Sequence, residues 1–328
     1  MMNPIELVKA LVSGGMQPGA PHSQGSLVLV PLFGGAEAPT YVLGAEAIDS
    51  DLIAVEEIGA GEVPNLVVKN LGDRPALFVE GEHLLGAKQD RVLNVSVLAA
   101  AKQDTVIPVS CVEQGRWRYA GGPRFASGKE FSHAGLRLKK LLAVAANARL
   151  EGSRRSDQGD VWGEIEHKRG EIGGGPSRTR SMSDVYASRE SDLSAMIDAF
   201  REPQSGQTGV VVCIGTRPIA IDAFDRPETL AKIWPRLVSG YAMEALGVPV
   251  GGADAGAIER FRAHVTEADA TSHEGVGLGT DVILTSSDLV ATALVWERAV
   301  VHLAVFASGL AREEAHDRVR EAQARPGC

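Results

Sequence analysis

The stretch Leu52–Glu113, LIAVEEIGAGEVPNLVVKNLGDRPALFVEGEHLLGAKQDRVLNVSVLAAAKQDTVIPVSCVE, decides the fold class of this chain. Val, Ile and Leu gather in short runs, and Gly, Pro, Asn and Asp interrupt them at intervals of roughly 8 to 12 residues, the pattern of an antiparallel sandwich or barrel. KNLGDRP and AKQD read as tips between consecutive strands, because Gly and Asp adopt turn conformations that β-branched residues resist. Upstream, SLVLVPLFGG and TYVLGAEA carry the same pattern back to Leu27.

Downstream the spacing changes. In FSHAGLRLKKLLAVAANARL, from Phe131 onward, Leu138, Leu141, Leu142 and Ala145 recur at helical intervals, and in SRESDLSAMIDAFREP the same holds for Leu193, Met196, Ile197 and Phe200. Between these helices, Glu151 to Arg180 is polar and rich in Gly and Ser, as expected of a linker or mobile loop. TGVVVCIGTRPIAIDAF predicts a buried hairpin. DRPETLAKIWPRLVSGYAMEAL predicts a helix opened by Pro227 and kinked or interrupted at Pro235. ALVWERAVVHLAVF reads as two strands about a WERA turn, and AREEAHDRVREAQAR as a charged terminal helix. The expected fold is α+β: a mainly antiparallel sandwich or barrel-like unit over 1–148, a polar loop or linker over 149–190, and an α+β part over 191–328 with hairpins and amphipathic helices.

With 328 residues, 44% of them hydrophobic, the chain can bury a sizeable core. Its formal net charge of −9 repels nucleic acid and anionic lipid, so neither is an expected partner. Uncharged apolar runs stay well short of the roughly 20 residues that cross a bilayer, and the N-terminal residues lack the apolar core of a secretory signal, so a soluble, cytoplasmic protein is expected. Three widely spaced cysteines and eight scattered histidines show no CxxC or HExxH spacing, which argues against a disulfide framework or a local zinc site.

Two constellations carry chemistry. In VEGEHLLGAKQDR, a strand over Leu77 to Leu84 would set Glu80 and Glu82 on one face, roughly 6 to 7 Å apart, where two carboxylates can share a divalent metal or divide acid and base roles. Arg91 returns on the next strand, so the bland alternative is an exposed hairpin decorated with Glu–Arg and Glu–Lys88 pairs, which contribute little. In IPVSCVEQGRWRY, alternation puts Cys111 and Glu113 on one face. A carboxylate raises a thiol's pKa, so Cys111 as nucleophile would need the charge of Arg116, and a buried core cysteine is the alternative. Lys88, Gln89, Arg91, Gln114, Arg116 and Trp117 are suited to gripping a planar, phosphorylated or amide-bearing ligand. A third segment, GGGPSRTRS, can wrap an anion through loose backbone, hydroxyls and arginines, or can be a solvated loop; it matches no nucleotide fingerprint. Asp225 is placed to cap the helix at Pro227, Trp234, Leu237 and Tyr241 read as core, and His302 reads as a satisfied core or surface histidine rather than a catalyst.

GEHLLGAKQDR, IPVSCVEQGRWRY, VYASRESDL and WPRLVSGYAMEAL together resemble the ARG and rhodanese-phosphatase-superfamily-associated protein domain family, from the first strands to about Leu246. The family-like positions are Gly81, Glu82, Gly86, Lys88, Gln89, Arg91, Pro108, Ser110, Cys111, Glu113, Gly115, Arg116 and Trp117; Asp90 stands where Asn is the more frequent residue. The resemblance implies a link to ADP-ribose or NAD metabolism and an ADP-ribosylglycohydrolase-type partner. Two functions follow. One is hydrolysis of a glycosidic or phosphate bond in an ADP-ribose-like nucleotide, with Glu82 and Glu113 as acid, base or metal ligands and Lys88, Arg91 and Arg116 on phosphates. The other is a non-catalytic binding or sensing module, or an interaction scaffold, built on the same residues.

Overall fold

The computed structural model describes residues 2–309 other than 60, 62, 120, 121 and 176, so the charged terminal helix expected from the sequence lies outside the described residues. Helix α1 (Pro4–Ala10) is closed at its start by a capping box: the Asn3 side chain accepts the Glu6 N–H at 2.9 Å and the Glu6 carboxylate accepts the Asn3 N–H at 2.8 Å. Strands β1 (Met16–Pro18), β2 (His22–Gln24), β3 (Leu27–Gly34) and β4 (Val42–Leu43) lead into helix α2 (Gly44–Asp49). The turn-punctuated stretch then forms β5 (Ile53–Glu57), β6 (Asn65–Asn70), β7 (Ala76–Phe78), β8 (Glu82–Gly86), β9 (Arg91–Leu93), β10 (Val97–Ala99) and β11 (Asp104–Cys111), and β12 (Phe125–Phe131) follows. Next come helices α3 (Ala134–Glu151), α4 (Gln158–Glu171), α5 (Met182–Ala187) and α6 (Glu190–Ala199). Hairpin β13 (Gln207–Ile214) and β14 (Arg217–Phe224) precedes α7 (Pro227–Ala245), which continues through Pro235, and α8 (Ala255–Glu267). The described chain closes with β15 (Asp269–Glu274), β16 (Thr280–Thr285), β17 (Leu289–Trp296) and β18 (Ala299–Ala307). In the WERA turn, Glu297 and Arg298 both take positive φ, as a tight two-residue hairpin turn requires.

The fold is α+β, and among the described residues its strands pair antiparallel apart from the parallel β4–β7 pair. The largest sheet runs β1-β3-β13-β14-β18-β17-β16-β15, with β2 also against β3; a six-stranded sheet runs β12-β8-β9-β11-β6-β5; and β10-β7-β4 forms a small third sheet. Strand pairing thus crosses the boundary expected at residue 148, because Leu27–Leu32 pair with Ile214–Gly209. Alternation in β3 explains this placement. Leu27 and Leu29 enter the core with α3 and α7, whereas Val28, Val30 and Leu32 enter a second core with α1 and α8, so β3 is apolar on both faces and belongs in a covered sheet. A third core fills the six-stranded sheet around Val55, Leu66, Val68 and Ile107.

Two expected features take a different form. The segment 149–190 contains α4 and α5 rather than only loop: Val161, Glu164, Ile165 and Lys168 recur at helical spacing and are all buried. Two of those four are charged, held by Lys139 and by Glu244 respectively, and so the face carries little apolar signal. In α3 the buried face is also turned from the expected Leu138, Leu141, Leu142 and Ala145 stripe. Leu142 is 40% exposed, while Arg137, Lys140 and Val144 are buried. Among the described residues, no helix is long and apolar enough to cross a membrane.

Candidate functional site

The turn between β8 and β9 and the chain leaving β11 meet at one end of the six-stranded sheet. Gly86 and Ala87 take positive φ, and the Gly86 N–H donates to Asp90 Oδ1 at 2.9 Å, which closes the turn. Arg116 staples this turn to the next segment. Its Nε donates to Glu113 Oε2 at 2.7 Å, its Nη2 to Asp90 Oδ1 at 2.9 Å and its Nη1 to the Ala87 carbonyl at 2.8 Å. Gln89 Nε2 donates to the Glu113 carbonyl at 2.8 Å, and the Asp90 N–H reaches Glu113 Oε2 at 3.2 Å. Burial pushes the Asp90 carboxyl above its ordinary range against the pull of the Gly86 N–H and Arg116, and it pushes the Cys111 thiol up as well.

Of the residues singled out in the sequence, Lys88, Gln89, Arg91, Cys111, Glu113, Gln114, Arg116 and Trp117 are therefore brought to one region, but they do not all face outward. Arg91 is fully buried and donates to Gln89 Oε1 at 3.3 Å and to Glu57 Oε1 at 3.4 Å. The outward surface is aromatic and cationic: Trp117 and Tyr119 are 51% and 53% exposed, and Lys88 Nζ lies 5.2 Å from the Trp117 ring centroid and 5.7 Å from that of Tyr119. Arg91 Cζ lies 6.0 Å from the Trp117 centroid. These are cation–π distances.

The Gly-rich third segment joins this region. The Gly115 N–H donates to the Thr179 carbonyl at 2.7 Å, the Met182 N–H to the Val112 carbonyl at 2.9 Å, and exposed Arg180 to Gln114 Oε1 at 3.3 Å. Close approach requires the glycine, since a Cβ at Gly115 would stand 2.9 Å from Thr179 Cα.

Glu80 and Glu82 do not share a site. A turn at Glu80 and Gly81 breaks the expected strand: Gly81 has φ +92°, the Glu82 N–H donates to the Val79 carbonyl at 3.0 Å, and alternation is lost there. Glu82 accepts the Val79 N–H at 2.7 Å and pairs with Arg236 at 2.7 Å. Glu80 accepts from Arg137 Nε at 2.8 Å and Lys140 Nζ at 2.5 Å. Among the described residues, no three His, Cys, Asp or Glu side chains are grouped as metal ligands. Cys111 is buried, and its Sγ donates to the Glu113 carbonyl at 3.2 Å. A buried thiol with a raised pKa is the opposite of an activated nucleophile.

Sequence reading missed a second polar cluster, at the join of the two larger sheets. Arg137 grips Asp222 through Nη1 and Nη2 at 2.8 and 2.9 Å; His302 Nε2 stands 3.0 Å from Asp222 Oδ1, and His302 Nδ1 2.7 Å from Ser96 Oγ. Ser96 in turn accepts the Glu80 N–H at 2.9 Å, which closes a ring. Hydroxyl, imidazole and carboxylate stand in the order of a nucleophilic triad. Ser96 is only 4% exposed, however, and the other members are almost wholly buried, so the ring joins helix α3 and strands β14 and β18 to the segments following β7 and β9 rather than facing a substrate. Its members are scattered from residue 80 to residue 302, and no local spacing signals them. Glu57, whose side chain is buried against Arg91, lies at the end of β5 and was likewise not singled out from the sequence.

Packed sheets covered by helices, with a stapled turn presenting two aromatic rings around a lysine, define an α+β protein. The chain belongs to the ARG and Rhodanese-Phosphatase-superfamily-associated Protein domain family, whose sequence profile matches residues 15–306. The match passes well beyond Leu246, where the motif resemblance stopped, so β15 to β18 are part of the family's unit and not an addition peculiar to this chain. No curated protein and no solved structure matches the chain.

Proposed function

We propose that this protein binds a planar, anionic nucleotide of the ADP-ribose class on the surface formed by Lys88, Trp117 and Tyr119, and that it binds without turnover. The observation that carries this reading is the pair of half-exposed rings within 5.2 and 5.7 Å of one ammonium group. Exposed rings offer a base about 1–3 kcal/mol of stacking each, and the ammonium supplies charge for a phosphate. Exposed Arg178 and Arg180, on the arm pinned to Gly115, add positive charge at the same end of the sheet.

The non-catalytic half of the reading rests on where the carboxylates are spent. Glu113 and Asp90 are held by Arg116, Glu82 by Arg236, and Glu80 by Arg137 and Lys140. General acid–base work needs a carboxyl within reach of substrate and free to exchange its proton, and each of these is engaged in holding the fold. The family name adds a link to ADP-ribosylglycohydrolases, so a protein of that type, handling the same ligand class, is the partner this reading favours.

Calorimetric titration with ADP-ribose, followed by chromatography of the mixture, tests both halves. One saturable site is expected, weakened at least about tenfold by Trp117→Ala and again by Lys88→Ala, with the nucleotide recovered intact. Unchanged affinity in the double variant would remove the site assignment. Release of AMP or free ADP-ribose fragments would replace binding with hydrolysis.

A further inference from the structure

The two rings of the nucleotide surface already have an occupant. Lys88 Nζ lies over both at once, 5.2 Å from the Trp117 centroid and 5.7 Å from that of Tyr119. The loop between β5 and β6 closes on the same side chain: a Cβ at Gly61 would stand 3.1 Å from Lys88 Nζ and 3.2 Å from its Cδ, and Gly61 holds φ +100°, where a side chain is strained. Two aromatic faces and glycine backbone thus surround one ammonium. A planar base that stacks on those faces needs the space the ammonium fills.

Arg91 is the other cation over Trp117, at 6.0 Å, but it is fully buried and held by Gln89 and Glu57. Lys88 is partly exposed and carries its charge on a flexible four-carbon stem, so it is the group that gives way. Moving an ammonium off aromatic rings forfeits cation–π attraction worth a factor of roughly 2 to 30 in an equilibrium constant. An uncharged nucleoside offers nothing in exchange, and its stacking is offset by that loss. A phosphate does offer something, because its oxygens give the ammonium a charge-assisted hydrogen bond in place of the rings.

We infer that Lys88 is the specificity-determining residue of this surface: it holds the place of the base over Trp117 and Tyr119 until a ligand phosphate draws it off, so the surface rejects nucleosides that lack phosphate. This exchange rests on the nucleotide reading above and adds to it the reason that phosphate is required.

Calorimetry on the full chain with ADP-ribose and with adenosine, in wild type, Lys88→Ala, Lys88→Arg and Trp117→Ala, tests the exchange. Lys88→Ala is expected to weaken ADP-ribose at least about tenfold and to tighten adenosine at least about threefold, opposite signs that a simple phosphate contact does not produce. Lys88→Arg, which keeps a cation over the rings, is expected to bind adenosine as weakly as wild type. Adenosine binding that Lys88→Ala leaves unchanged or weakens, alongside ADP-ribose binding that still depends on Trp117, would overturn the exchange and leave the nucleotide surface standing. No binding of ADP-ribose to wild type, or binding untouched by Trp117→Ala, would remove the nucleotide reading and the exchange with it.

Discussion

Replacing Arg137 by Met keeps most of the side-chain volume and removes one charge from the ring between the sheets. The guanidinium donates to Glu80 at 2.8 Å, to both Asp222 oxygens at 2.8 and 2.9 Å and to the Tyr241 hydroxyl at 3.1 Å, and it lies 5.0 and 4.6 Å from the Phe131 and Phe306 centroids. Glu80 would keep Lys140, but Asp222 would keep only His302 and Tyr241. Removing one partner of a buried ion pair costs about 3–5 kcal/mol, since the other charge stays desolvated. With an unfolding entropy of roughly 2.1 cal/mol/K per residue, a chain of this length should lose about 4–7 °C in Tm at pH 7. Acid should narrow that loss. Against burial, which pushes the Asp222 carboxyl up, Arg137 and His302 hold it well below the usual range. A depressed carboxyl contributes stability that is full above its unfolded pKa, near 3.9, and is lost as pH falls below it. The variant lacks most of that contribution, so its deficit should shrink between pH 4 and pH 3, the range being set by that unfolded value. Calorimetric melts at pH 7, 4 and 3 measure this. A Tm within about 1 °C of wild type at pH 7, or a deficit that does not shrink in acid, would refute the assignment of Arg137 as the charge those carboxylates depend on.

Other outcomes follow from single contacts. Gly81→Ala places a Cβ 2.7 Å from Phe131 Cε1 and 2.9 Å from Arg137 Nε at φ +92°, so it should cost roughly 1–3 kcal/mol in urea unfolding. Burial first, then the charges of Lys140, His133 and Arg236, push the His83 imidazole down to about 3. The unfolded chain therefore takes up a proton that the folded one refuses between its unfolded value of 6.5 and that pH; stability should fall with acid across this window, and His83→Gln should flatten the slope. Burial pushes the Cys111 thiol up and the Cys213 thiol up to about 12. In a Cys328→Ser background, a thiol reagent at pH 8 should label neither until the protein is unfolded, and fast labelling of Cys111 in the native state would restore it as a nucleophile.

Much of the fold is local and so was legible. The turn residues of Leu52–Glu113 separate strands, and the hairpins at Gln207–Phe224 and Leu289–Ala307 form about the turns their sequences announce. Pairing of β3 with β13 was not legible, because nothing within SLVLVPLFGG names a partner some 180 residues away. The α4 face was hidden for a related reason: burying Glu164 and Lys168 depends on cations and anions supplied by α3 and α7, which periodicity does not count. At the candidate site, Lys88, Arg91, Glu113 and Arg116 meet through the β8–β9 turn and the chain leaving β11, whereas one left-handed glycine, Gly81, sent Glu80 and Glu82 to different partners. Tyr119 stood in the quoted motif, yet only geometry shows it beside Lys88.

Hydrogen exchange with and without saturating ADP-ribose is the most direct measure of the binding surface. The prediction is slower exchange in 86–91 and 114–119, extending into the pinned arm at 177–181, with β15 to β18 unchanged. Protection confined to any other part of the chain, or none at all under conditions where calorimetry shows saturation, would contradict it.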